Sequence, residues 1–96
     1  MYLDRLRLDG RTALVTGGAQ GIGYCCVDAL AEAGARVTIA DRDADAIGAA
    51  MESLRAKGHI VEGVVLDVTD PARVTQVADQ AGVIDILVNN AGIARS

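Results

Sequence analysis

Residues Thr16 to Gly23 read T-G-G-A-Q-G-I-G, set between the apolar run Ala13-Leu14-Val15 and an amphipathic stretch that begins at Ile22. A segment so poor in side chains leaves its backbone N–H groups uncovered, and a helix starting at its end adds the positive pole of a dipole. Together they make a seat for a diphosphate. Asp41 follows a second apolar run, 24 residues beyond Gly17. A carboxylate there can accept hydrogen bonds from both hydroxyls of an adenosine ribose, and its charge repels a 2′-phosphate. Asp67-Val68 closes a third run, offering a carboxylate to an adenine amino group and backbone and apolar contact from Val68. Asn89-Asn90-Ala91-Gly92 closes a fourth.

Such residues share one crevice only if the elements between them alternate in type. The first strand is predicted at Thr12 to Thr16 and the first helix at Gly21 to Ala33, ended by Gly34. Ile22, Cys26, Ala29, Leu30 and Ala33 recur on that helix at a spacing that makes one face apolar, with Asp28 and Glu32 off it. Ala35 to Ala40 is a second strand. Asp43 then caps a helix whose Ile47, Met51 and Leu54 form a stripe up to the stop at Lys57-Gly58. Ile60 to Leu66 is a third strand. Asp70-Pro71 places a cap before a proline at the first helical position, and Val74, Val77, Ala78 and Ala81 carry the apolar face to Gly82. Val83 to Asn89 is the fourth strand. Alternation of this kind implies an α/β fold with a parallel sheet and right-handed crossovers.

Composition suits that fold. The 96 residues are 51% hydrophobic with no Trp or Phe, so the core must be Val, Leu, Ile and Ala, residues favoured in parallel strands covered by helices. A formal charge of −4 gives no basic stripe for nucleic acid or an anionic membrane surface. The apolar runs fall well short of the roughly 20 residues a bilayer requires. Met1 to Gly10 carries four charges where a secretion signal needs an apolar segment, so a cytoplasmic location is expected. Cys25 and Cys26 are neighbours on one helix and cannot form a C-x-x-C pair or a four-ligand metal set; no metal site is expected. His59, after Lys57-Gly58, reads as a solvated loop residue at the end of the sheet away from the crevice.

T-G-G-A-Q-G-I-G, the acidic Asp41, Asp67-Val68 and N-N-A-G after I-D-I-L-V together resemble the classical short-chain dehydrogenase/reductase family across nearly the whole chain. The resemblance implies a Rossmann-type doubly wound sheet with strand order 3-2-1-4, residues 1–96 forming its NAD-binding portion. It implies that the backbone around Gly17, Gln20, Gly21, Ile22 and Gly23 holds the pyrophosphate and Asp41 the ribose. Asp67 and Val68 would touch adenine, and Asn90 with Gly92 the nicotinamide-side ribose. Asn89 looks like a brace between strands. Arg42 would serve a 2′-phosphate in NADP-dependent relatives or stack near adenine. With Asp41 beside it, the repulsion favours NAD over NADP.

The resemblance further implies hydride transfer between the cofactor and a secondary alcohol or ketone. The opening L-R-L-D-G and the A-G-I-A-R end are similar to polyol and sugar-alcohol dehydrogenases, and Arg95 and Ser96 follow the N-N-A-G loop near where substrate would lie. The family's catalytic serine and Tyr-x-x-x-Lys pair are not in these 96 residues; Tyr24 is followed four residues later by Asp28. The chain alone is therefore expected to be inactive, the cofactor portion of a longer enzyme whose family forms homotetramers or dimers. The bare outer edge of the fourth strand, Ile84 to Val88, should make this portion poorly soluble alone. A non-catalytic NAD-binding module is the alternative. A P-loop would need a lysine and Ser/Thr after its last glycine, where Tyr24-Cys25 stands. A methyltransferase shares the architecture but gives no reason for N-N-A-G.

Overall fold

The computed structural model describes residues 8–90. Seven elements alternate: β1 (Thr12–Thr16), α1 (Gly21–Glu32), β2 (Arg36–Asp41), α2 (Ala44–Ala56), β3 (Val61–Val65), α3 (Pro71–Ala81) and β4 (Ile86–Asn89). The strands are parallel in the order β3-β2-β1-β4. The chain winds outward from β1 through β2 to β3, then crosses back to place β4 on the other side of β1. That reversal opens a crevice at the carboxyl ends of β1 and β4, the position where open α/β sheets bind ligands. The parallel register brings Thr16 beside Ala40 on one flank and beside Asn89 on the other. Every strand thus delivers its last residues to the same edge.

Alternation along the strands divides the core in two. Ala13, Val15, Val37, Ile39 and Val61 face α1 and α2, where they pack with Val27, Ala31, Ile47, Ala50 and Leu54. Leu14, Ala40 and Leu66 face the opposite way and meet Val77 of α3. The ends of α2 and α3 follow their sequence signals. Asp43 accepts from the Ala46 amide at 3.0 Å, Asp70 accepts from the Arg73 amide at 3.2 Å, and Pro71 opens α3.

The structure corrects two expectations about these elements. The buried face of α1 is Gly23, Val27 and Ala31, whereas Ile22 is 69% exposed and Ala29 is exposed. The helix is turned by one residue from its apolar stripe because Gly23 lies so close to the Gly17 carbonyl that a Cβ there would overlap it. β4 is shorter than its apolar run. Before Ile86, the Asp85 carboxylate takes the Thr12 N–H at 2.8 Å while the Asp85 N–H donates to the Thr12 carbonyl, so the side chain stands in for a strand partner.

Candidate cofactor site

The loop from β1 into α1 runs over the carboxyl edge of the sheet. Gly17 has φ of 65°, a left-handed conformation that lets the chain leave β1 sharply, and its N–H donates to the Ala40 carbonyl at 2.6 Å. At the other end of the loop Gln20 is the N-cap of α1, and it makes no side-chain cap hydrogen bond. No acidic residue stands in the first turn of α1, whereas Asp43 and Asp70 cap α2 and α3. Of the three helices, α1 alone opens without a carboxylate at its positive end. Gln20, Gly21 and Ile22 are all exposed around that end, and Gly23 allows the helix to approach the loop.

Two side chains from neighbouring strands hold this loop. Asn90, just past β4, donates through Nδ2 to the Gly17 carbonyl at 3.1 Å. Asp41, at the end of β2, accepts from the Ala19 N–H through Oδ2 at 3.2 Å, and its Oδ1 accepts from Asp43 N–H at 3.1 Å. Beneath them the Thr16 hydroxyl donates to Asn89 Oδ1 at 3.0 Å, which links β1 to β4. Sequence reasoning assigned Asp41 and Asn90 to a ligand and did not foresee their second duty to the loop. Their partners lie 22 and 73 residues away, beyond the reach of local pattern.

Asp67 and Val68 stand past β3 at the same edge, and Val68 is 39% exposed. The Asp67 carboxylate is folded onto its own turn, accepting from the Thr69 hydroxyl at 2.6 Å and the Thr69 amide at 2.9 Å. Those two bonds, with a smaller contribution from the Arg42 charge, hold its carboxyl below the usual 3.8. Arg42 is exposed beside Asp41. Gly17, Gln20, Gly21, Ile22, Gly23, Asp41, Arg42, Asp67, Val68, Asn89 and Asn90 therefore all lie along one rim. Gly92, Arg95 and Ser96 lie outside the described residues.

At the opposite edge His59 departs from its expected solvated state. Its side chain is only 7% exposed, and Nε2 lies 2.9 Å from Asp28 Oδ1 and 3.8 Å from Glu32 Oε1. Lys57 Nζ donates to Asp28 Oδ2 at 2.9 Å. Bonds from Lys57 and then His59 hold the Asp28 carboxyl below its usual range, and Asp28 raises Lys57 in turn. Asp28, Glu32 and His59 have the residue types of a metal site, with ligand atoms within 4.8 Å of one another. The Lys57 ammonium already satisfies one Asp28 oxygen, so the group works as a clamp between α1 and the α2–β3 turn.

The arrangement has counterparts of known kind. Residues 11–96 match the family model for short chain dehydrogenase. The chain is 51% identical to a galactitol 2-dehydrogenase of Rhizobium johnstonii over 99% of its own length and 38% of the relative's. It is 45% identical to a sorbitol dehydrogenase of Cereibacter sphaeroides over 92% of its length and 35% of the relative's. A crystal structure of a gluconate 5-dehydrogenase from Burkholderia cenocepacia, in complex with NADP and tartrate, superposes with a TM-score of 0.86 at 44% identity. That match covers 99% of this chain and 39% of the neighbour. The chain thus spans less than two-fifths of the length of these relatives. No helix among the described residues is long and apolar enough to cross a membrane. Sequence motif, strand order and loop geometry converge, and the chain belongs to the short-chain dehydrogenase family.

Proposed function

We propose that these residues form the nicotinamide-dinucleotide site of an oxidoreductase that interconverts a secondary alcohol and a ketone, with NAD as the preferred cofactor. The uncapped start of α1 and the backbone of Gln20 to Gly23, with Gly17 turning the loop, would hold the pyrophosphate, and Asp41 the adenosine ribose. Asp67 and Val68 would border the adenine, while Asn90 and Gly92 would border the nicotinamide-side sugar. The donor set fits the group. Gly23 leaves no room for a Cβ where the helix meets the loop, and a carboxylate stands where vicinal hydroxyls would arrive. When bound, the nicotinamide ring supplies the hydride chemistry; the residues named here bind and orient it.

The observation that carries this reading is Asp41 at the end of β2, tied to the glycine loop through Ala19. Next to a 2′-phosphate its charge is repulsive, and Arg42 beside it only partly offsets that. Calorimetric titration of the intact protein should find NAD bound at least about tenfold more tightly than NADP, a difference of roughly 1.4 kcal/mol. Equal affinities would remove the preference, and no binding of either would remove the site. The names of the relatives support a polyol substrate, tested by following reduction of NAD with galactitol and sorbitol. Assembly as a homotetramer or dimer belongs to the same proposal, read by light scattering. Binding without turnover is the second reading. NAD affinity with no reduction by any polyol would support it.

A further inference from the structure

We infer that Asp41 is a positioning residue for the phosphate loop as well as a ligand for the ribose. The inference rests on the proposed dinucleotide site. An ionised carboxylate offers roughly four lone-pair directions, two on each oxygen. In this structure each oxygen spends one on the backbone: Oδ2 on the Ala19 N–H at 3.2 Å and Oδ1 on the Asp43 N–H at 3.1 Å. One direction on each oxygen is left, which matches two adjacent sugar hydroxyls. The same group can therefore fix the loop before a ligand arrives and receive the ribose without releasing it.

The geometry of the loop gives the brace its purpose. Ala19 lies between Gly17 and Gly21, both at positive φ, so the segment lies between two residues of high intrinsic backbone freedom. Its Gly17 end is held from the β4 side by Asn90 and from the β2 side by the Ala40 carbonyl. Its middle is held from the β2 side by Asp41. A loop whose amides are already oriented binds an anion without the ordering cost a slack loop incurs. Removing the carboxylate should weaken any ligand that the loop holds, even one with no adenosine sugar.

The test uses the intact protein, Asp41→Ala and Asp41→Asn, each checked for unchanged exchange in the β1 and β2 core amides. In the ligand-free protein, hydrogen exchange across residues 17–20 should rise about tenfold in Asp41→Ala, since a hydrogen bond to a charged acceptor is lost. In Asp41→Asn the amide oxygen still accepts from Ala19 and should restore most of that protection, although NAD affinity stays reduced. Nicotinamide mononucleotide, which has a phosphate but no adenosine, should bind Asp41→Ala several-fold more weakly than the unaltered protein. If loop exchange and mononucleotide affinity are both unchanged while NAD affinity falls, Asp41 serves the ribose alone and the inference is overturned. Failure of the unaltered protein to bind NAD would instead count against the proposed site, and the exchange measurement would still report on the brace.

Discussion

The two faces of the sheet are cut from the same four strands and differ in almost everything else. Toward α1 and α2, Ala13, Val15, Val27, Ile39 and Leu54 are completely buried, and Ile86 and Val88 of β4 pack against the same cluster. Toward α3 the buried hydrophobic set among the described residues is Leu14, Ala40, Leu66 and Val77, and Thr16 is buried on the same face. Beside it an open groove of about 260 Å³ runs between α3 and β4, lined by Val74, Ile84 and Leu87 among others. The strands explain the contrast, because the second face carries Thr16, Thr38, Glu62 and Asn89 where the first carries Val15, Val37, Val61 and Val88. One face is a finished core. The other has Thr38, Glu62 and Asn89 at less covered positions of its strands and an open apolar trough beside α3.

The tightest point of the closed side is Gly23, where α1 meets the loop. A Cβ would overlap the Gly17 carbonyl and come within 2.8 Å of Asn90 Nδ2, and the first of these is backbone that cannot swing aside. Gly23→Ala should therefore lower stability by about 3 kcal/mol, the upper range for overpacking. It should also abolish measurable dinucleotide binding, as urea unfolding and calorimetry would report. Truncation on each face then measures the contrast directly. Leu54 is 0% exposed in the closed core, so Leu54→Ala should cost about 3 kcal/mol. Val77→Ala on α3, beside the open groove, should cost about 1 kcal/mol, since fewer atoms are removed and the surroundings can relax. Equal losses at the two sites would mean that the second face is as well packed as the first.

Much of this division was written in local chemistry. Asp43, Asp70-Pro71, Gly34 and Gly82 mark helix ends through hydrogen bonding and backbone freedom, which act over a few residues, and the structure has its boundaries there. The rotation of α1 was not legible, because an apolar count gives Ile22 weight and Gly23 none. What orients the helix is a close backbone approach that only the missing side chain permits. The fourth strand looked longer because Val83 and Ile84 are apolar; the Asp85 side chain ends the ladder early. In the site, the residue types and their common edge followed from spacing. The ties from Asp41 to Ala19 and from Asn90 to Gly17 depend on how strands lie side by side, as does the burial of His59 against Asp28.

The open side makes its own expectation about solubility. Leu87 is 64% exposed and Val83 81%, and β4 is hydrogen-bonded to β1 on one side with no strand beyond it among the described residues. An apolar edge of this kind templates association with another chain, and a lysine on it opposes that. Leu87→Lys should reduce self-association of the 96-residue chain in sedimentation, while changing stability by no more than about 0.5 kcal/mol, as expected at an exposed position. A change at Ala49, exposed on the α2 side, should leave association as it was. If both substitutions act alike, the open face is not the adhesive one.

The smallest effect belongs to the clamp that closes the other end of the finished face. Asp28 ties α1 to the α2–β3 turn most strongly while it is ionised, and its partners hold its carboxyl below the usual 3.8. A carboxylate whose pKa is lower in the folded than in the unfolded chain contributes stability above its unfolded value. That contribution is lost as pH falls through the folded value. Lys57, raised above the usual 10.5 by Asp28, contributes below its unfolded value and loses the contribution as pH rises through the folded one. The pair is therefore at full strength between these limits. Asp28→Asn should melt about one degree below the unaltered protein across the neutral range. The two melting curves should converge in acid below 3.8 as the unaltered carboxyl takes up its proton. Both partners are solvent-accessible, so added salt should narrow the neutral gap. A gap that persisted unchanged into strong acid would assign the loss to packing around His59 and not to the charge on Asp28.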